Sequence, residues 1–325
     1  MTRRARLALL AALMLAMVAL SLAAGKQWLP WAAWTGDDPR WAIVIELRVP
    51  RALLGGILGA ALGLSGAVLQ GYLRNPLADP TVIGVSSCAA LGAVASIVFG
   101  LGSAAGGFGQ FGWAMLGAGG AMALLGLLTS RAESPVVFVL AGTVLASLAG
   151  ALTAFLISIA PNPYAVAEAI DWLMGALTDR GTSDVILAAP FMAVGVLVLL
   201  TTGRALDALA LGEDAARSLG ASLTRLRWTV VLGTGLAVGA GVAVTGVVGF
   251  VGLVVPHLLR PVFGARPSAL LLPSALGGAA LTLAADSLCR LAPGSGEVRL
   301  GVVMALIGAP FFLALLFREG GRQWR

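Results

Sequence analysis

The sequence predicts an all-α polytopic membrane protein with about ten transmembrane helices and a pair of short helices outside the lipid. Three observations carry that expectation. The 325 residues are 59% hydrophobic and only 11% charged, with mean hydropathy +0.96, too apolar for a soluble domain and long enough for about ten spans. Apolar runs recur along the whole chain, separated by short polar or Gly/Pro-rich breaks. One interval, Arg204 to Arg227, departs from this with seven charges: Arg204, Asp207, Glu213, Asp214, Arg217, Arg225 and Arg227. Each would cost roughly 2.5–3.5 kcal/mol at the bilayer centre, so the interval lies outside the hydrocarbon. The expected organisation is a single transmembrane domain over residues 1–325, with the loop 204–227 inside it.

The first apolar run, Leu7 to Ala24, follows Arg3, Arg4 and Arg6. It exceeds the roughly 7–15-residue core of a secretory signal, so an uncleaved span starting in the cytoplasm is expected. Lys26 to Val49 carries Trp28, Trp31, Trp34 and Trp41 and reads as a segment on the outer interface, ended by Pro50 with Arg48 and Arg51 beside it. Span two, about Ala52–Gly71, places Gly55, Gly59, Gly63, Ala67 and Gly71 at four-residue steps, a ridge that lets helices approach closely. Asn75-Pro76 breaks the helix, and Asp79-Pro80 supplies an N-cap and a first-turn proline for span three, about Thr81–Leu101. Gly102 to Gly112 reads as an outer turn, span four runs to about Thr129, and span five from Pro135 to about Ile159. The segment opened by Pro161-Asn162-Pro163 is amphipathic and too charged to cross, so it is expected along the outer surface. Span six begins near Val185. After the loop come span seven (about Trp228–Thr245), a turn at Gly246–Gly249, a shorter span eight from Phe250 to Phe263 weakened by Pro256, span nine (about Ser268–Leu288) and span ten (Leu300–Phe317).

Within the loop, Leu206, Leu209 and Ala210 share one helical face, and Ala215, Ala216 and Leu219 another. Two short amphipathic helices follow, broken at Gly212 and stopped at Gly220. With this topology fourteen basic residues fall inside and seven outside, which assigns the loop and both termini to the cytoplasm. The same rule accounts for the net charge of +6 without nucleic acid. Spans two to five enter from outside and seven to ten from inside, permitting an inverted repeat.

The composition also excludes chemistry. Lys26 is the sole lysine and no glycine stands five positions before Gly25, so there is no P-loop for a nucleotide. Span interiors are nearly free of charge, which disfavours an ion-coupled secondary carrier. Cys88 and Cys289, far apart in sequence, form neither a metal site nor a disulfide framework. His257 follows Pro256 and is expected to bond a carbonyl freed by that proline. With one histidine the usual general-base designs are mostly unavailable, so an intramembrane enzyme is the weaker alternative and the chain is read as no enzyme. A conduit moved by something docked on it remains, against the alternatives of a secondary carrier or a membrane scaffold.

Several stretches together resemble the FecCD-type permease subunits of ABC importers for iron-siderophores, haem and cobalamin. They are RVPR at Arg48–Arg51, GAALGLSGAVLQGYLRNPLADPTVIGVSS from Gly59, LALGEDAARSLG from Leu209, GVVGFVGLVVPHLLR from Gly246 and GVVMALIGAPFFLALL from Gly301. They extend over nearly the whole chain in the family order. The resemblance implies a ten-helix permease domain with short cytoplasmic coupling helices in a bacterial inner membrane. It implies a second permease copy, two cytoplasmic ABC ATPase subunits and a periplasmic substrate-binding protein as partners. It implies that no cofactor is bound by this chain and that ATP and magnesium belong to the ATPase. Leu209, Leu211, Gly212, Glu213, Ala216, Leu219 and Gly220 are implied to couple to the ATPase. Arg48, Arg51 and Arg290 are implied to face acidic residues of the binding protein, and Ser134 and Pro135 to lie at the cytoplasmic gate. Two departures stand out. Proline and valines at span five replace the Thr-Ser pair of some relatives, and PGSGEVRLG replaces the usual run before span ten, with Glu297 retained and Arg299 in place of a proline. The cargo is expected to be an iron chelate, siderophore or haem, with cobalamin the alternative.

Overall fold

A computed structural model describes residues 2–27, 29–36, 38–102, 107–130, 135–293 and 296–323. The ordered elements among them are helical, without a strand. In chain order they are α1 (Arg3–Ala23), α2 (Ala32–Thr35), α3 (Val49–Tyr72), α4 (Val85–Val98), α5 (Gly107–Ser130), α6 (Pro135–Ser158), α7 (Pro163–Leu173), α8 (Thr182–Leu200), α9 (Gly203–Leu209), α10 (Glu213–Ser218), α11 (Leu223–Thr245), α12 (Val251–Phe263), α13 (Pro267–Leu291) and α14 (Leu300–Gln323). Seven helices are long and apolar enough to cross a membrane; α4, α12 and the Leu300–Leu315 part of α14 are shorter apolar helices.

The bundle is built around α3 and α11, whose apolar windows are 78% buried, whereas that of α1 is 6% buried and lies at the periphery. The reason is on the surface of α3. Methyl groups at Gly59 and Gly63 would overlap the Gly278 and Ser274 carbonyls of α13, and one at Gly66 would overlap Gly252 of α12. Without a water-driven hydrophobic effect in lipid, such backbone-to-backbone approach is what lets dispersion hold helices together. The four-residue ridge is therefore the seam between α3 and α13.

The two ends of the bundle are fixed by polar ties. At one end Arg6 donates to the Val262 carbonyl and Arg266 to Asp207, so the start of α1, the end of α12 and the loop 204–227 lie together at what we call the loop end. At the opposite end, the mouth end, Arg290 of α13 donates to Ser21 and the Ala24 carbonyl at the end of α1.

Four element boundaries differ from expectation. Pro50 does not interrupt the chain: a π-helical turn, Ile43–Arg48, runs straight into α3, and such a widened turn takes up the proline ring and its missing i−4 hydrogen bond. Asp79-Pro80 caps a single 3-10 turn, Pro80–Ile83, and α4 starts only after Gly84, whose φ of +79° breaks the two apart. The expected outer turn at Gly102–Gly112 is already helical from Gly107. Pro256 does not weaken α12; the carbonyl of Gly252, which that proline leaves without its i+4 donor, is met by the Gln70 amide at 3.1 Å. The ring of His257, on the same turn, packs edge-on against Phe311 at 5.8 Å.

Candidate functional site

Two stretches of non-helical backbone enter the bundle. One is Asn75–Asp79 after α3; the other is Gly246–Phe250 between α11 and α12. They meet where Pro80 and Gly66 both press on Gly252. Gly66 lies about four turns, or roughly 22 Å, below Arg51 along α3, so both stretches are at membrane depth. Irregular backbone is tolerated there only when buried in protein or lining a cavity.

They line a cavity of about 530 Å³, together with Leu173 at the end of α7, Met174 just beyond it, Leu253 of α12 and Val302 and Phe312 of α14. Glycines make its wall thin. Gly175 (φ +67°), Gly246 (φ +70°) and Gly301 interlock so closely that a methyl on any of them would overlap a carbonyl of a neighbouring stretch. Gly301 donates to the Gly175 carbonyl and Ala176 to that of Thr245. Phe250 adopts φ +67°, strained for an aromatic residue, and its ring fills the space that a side chain at Gly308 would take. The lining is apolar except for Thr81 and the buried Asp79, whose Oδ1 accepts from the Thr81 N–H and hydroxyl at 2.9 and 2.6 Å.

The loop forms the two expected helices, α9 and α10, separated at Gly212 (φ +107°) and ended at Gly220 (φ +81°). Only glycine occupies such angles without strain. Leu206, Leu209 and Ala216 are buried, whereas Leu211 and Leu219 stand 71% and 66% exposed. This corrects one expectation: Ala210 and Leu219 do not share the packed face of their helices, because each is at its helix's end, where the chain turns away. Glu213 reaches Arg74 at 3.7 Å, tying α10 to the end of α3. Asp207 is the firmer anchor. Its carboxylate accepts from the Ser268 N–H (2.9 Å), the Ser268 hydroxyl (2.6 Å) and Arg266 (2.7 Å), so a residue of α9 caps the start of α13. Burial pushes this carboxyl up, but Ser268 and Arg266 outweigh it and hold it below the usual carboxylate range.

At the mouth end the structure corrects the placement expected of three arginines. Arg48, Arg51 and Arg290 are 6%, 9% and 4% exposed, not presented outward. Arg48 donates to the carbonyls of Leu22, Ala23 and Gln27, closing the α1–α2 turn. Arg51 lies 2.8 Å from both Asp286 and Glu297, and Arg290 2.8 Å from Asp286. Two guanidinium and two carboxylate groups thus form a neutral cluster, which is how buried charge is tolerated. Glu297 also accepts from Thr178 at 3.0 Å; burial raises its carboxyl, and Arg51 and Thr178 more than offset that, leaving it below its ordinary range. Arg299, the departure noted in the sequence, pairs with Asp171 at 2.6 Å and fastens the segment before α14 to α7.

Ser134 lies outside the described residues, and Pro135 is the first residue of α6. Sequence reasoning missed Asp207 as an anchor, Asp286 as a shared counter-ion and Gln70, which also accepts from Arg260 at 2.8 Å. Apart from Arg290, the i+4 neighbour of Asp286, their partners lie 59 to 235 residues away, beyond any local pattern.

A helical bundle that breaks its backbone at membrane depth around a cavity, and presents a helix pair at one end, has the architecture of a transport permease. The FecCD transport family matches residues 12–318, and the chain belongs to that family. The vitamin B12 import permease BtuC of Vibrio cholerae is 40% identical over 316 residues, covering 96% of this chain and 93% of the relative. The Fe(3+) dicitrate permease FecD of Escherichia coli is 37% identical over 306 residues, covering 92% and 94%. A solved inward-facing conformation of a metal-chelate type ABC transporter superposes with TM-score 0.88 at 32% identity, covering 97% of this chain and 99% of that one. The protein is therefore a permease subunit of an ABC importer, working with ATPase and binding-protein partners.

Proposed function

We propose that two copies of this chain form one path in an inner membrane and pass a bulky metal chelate, of the siderophore or haem type, from a periplasmic binding protein to the cytosol. The observation that carries the cargo class is the cavity. About 530 Å³ of largely apolar space suits a large, charge-masked chelate and offers no shell of oxygen ligands for a bare cation. A cobalamin is accommodated by the same reasoning and is the second reading, favoured by the kinship to BtuC.

The loop is assigned to the cytoplasm with both termini. The excess of arginines at its end supports this, as does the Arg6–Val262 tie that brings the N-terminus to the same end. Leu211 and Leu219 would insert into the ATPase, flanked by Gly212, Glu213 and Gly220, while buried Leu209 and Ala216 hold the helices together. Movement of α9 would pass through Asp207 into α13, and movement of α10 through Glu213 into α3. Ser134 and Pro135, the latter opening α6, keep the gate role.

The test is uptake into proteoliposomes holding the permease, its ATPase and its binding protein, with ferric siderophore, haemin and cobalamin as cargoes. ATP-dependent accumulation of one of them is expected. Uptake that persists without ATP and collapses with an ionophore would overturn the reading in favour of a secondary carrier.

A further inference from the structure

At the loop end, the junction of α8 with α9, the Leu219–Ser222 turn after α10 and the first turns of α11 enclose a groove of about 430 Å³ with a mixed polar and apolar lining, whose rim at Leu219 and Gly220 borders the proposed ATPase contact. Arg204, one turn past α8, and Arg225, in the first turn of α11, both line it. Both side chains are exposed, and neither guanidinium makes a hydrogen bond or ion pair among the described residues. Around the groove Arg74, Arg217 and Arg266, by contrast, have carboxylate partners, and Arg227 donates to the Thr129 carbonyl. Two uncompensated positive charges beside the Thr201 and Thr229 hydroxyls fit a phosphate diester.

What lies above the groove selects the source of that phosphate. On α11, Arg225, Thr229 and Leu232 follow one another on a single face; on α8, Leu197 and Thr201 do the same. Leu197 and Leu232 are 63% and 47% exposed. Each wall of the groove therefore continues into an exposed apolar strip one turn deeper in the membrane. A polar pocket at headgroup depth with apolar tracks running from it matches an anionic phospholipid, phosphate below and acyl chains above. An acidic surface of the ATPase would use the arginines and leave the tracks without a role.

We propose that this groove is a binding site for an anionic phospholipid of the leaflet at the loop end, held by Arg204 and Arg225. The test uses the permease assembled with its ATPase in nanodiscs of phosphatidylglycerol and phosphatidylethanolamine, with co-purifying lipid read by native mass spectrometry. Retention of phosphatidylglycerol is expected to fall on the order of tenfold in the double variant R204Q/R225Q and to stay unchanged in R3Q/R4Q, which removes the same charge elsewhere at that end. Equal retention in both variants overturns the proposal. So does displacement of the lipid by free glycerol phosphate, which would mark a soluble-anion site, or retention by the permease alone that vanishes once the ATPase binds, which would mark a protein contact. Should the double variant not fold, a photoactivatable phosphatidylglycerol is applied to the unaltered complex; labelling of the Thr201 and Thr229 segments supports the site, and labelling that avoids both overturns it.

Discussion

Arg51 and Asp286, 235 residues apart, meet through three hydrogen bonds: Nε to both carboxylate oxygens at 3.1 Å and Nη2 to Oδ1 at 2.8 Å. They join the mouth ends of α3 and α13, the two helices whose glycine seam forms the centre of the bundle. The same pair of helices is gripped at the loop end by Glu213 through Arg74 and by Asp207 through Ser268. One rigid unit thus runs from the loop to the mouth.

Removing one member of the mouth cluster leaves buried charge behind. Arg51→Ala is expected to lower the stability of the purified permease by about 3–5 kcal/mol. Arg51→Leu combined with Asp286→Leu, Arg290→Leu and Glu297→Gln should lose less than the single changes predict when added. Thermal unfolding in detergent, read as a mutant cycle, checks this; strictly additive losses would show that the groups do not act as one cluster.

The seam makes a contrast between glycines. Gly63→Ala drives a methyl into the Ser274 carbonyl, so a loss of about 1–3 kcal/mol is expected from overpacking. Gly150 lies within α6 and has nothing within 4 Å of an added Cβ. Gly150→Ala should therefore gain roughly 0.5–1 kcal/mol from helix propensity. Unfolding transitions of the two variants should move in opposite directions.

Asp207→Ala leaves the exposed leucines in place while removing the cap on α13. ATPase binding should be near normal, and cargo transported per ATP hydrolysed should fall at least about fivefold, the factor for roughly 1 kcal/mol of lost coupling. The pH dependence follows from the depressed carboxyl of Asp207. Because its folded value lies below its ordinary 3.8, the stabilisation is fully present above that value and is lost as pH falls through the folded one. Coupling should thus be flat between about pH 5 and 8 as far as this residue is concerned. An Asp207-dependent change inside that window would refute the anchor role.

Leu211→Asp and Leu219→Asp alter exposed side chains and should leave the permease fold unchanged. If each fills a pocket of the ATPase, the loss of about 2 kcal/mol typical of such anchors weakens ATPase binding by roughly thirtyfold. Titration of ATPase onto nanodisc-held variants measures this. Gly212→Ala, by contrast, forces φ +107° on a residue with a Cβ, and its effect should appear first as disorder of the α9–α10 turn.

Much of this protein was legible locally. The apolar runs located the long helices, Gly212 and Gly220 marked the breaks of the 204–227 loop, and the four-residue glycine steps announced a helix seam. These readings succeed because desolvation of charge and helical periodicity act within one or two turns of chain. The boundaries that failed did so where a neighbour overrode a local signal: Gln70 supplies the donor that Pro256 withholds, and Gly252 receives the Asp79-Pro80 turn. Which charges are exposed could not be read at all. Arg48, Arg51 and Arg290 look like outward arginines until Asp286, Glu297 and the end of α1 are brought to them, and Asp207 looks like one loop acid among several until Ser268 arrives. A sequence states how much each group would lose on leaving water, and only the packed chain decides which group, tens or hundreds of residues away, makes up that loss.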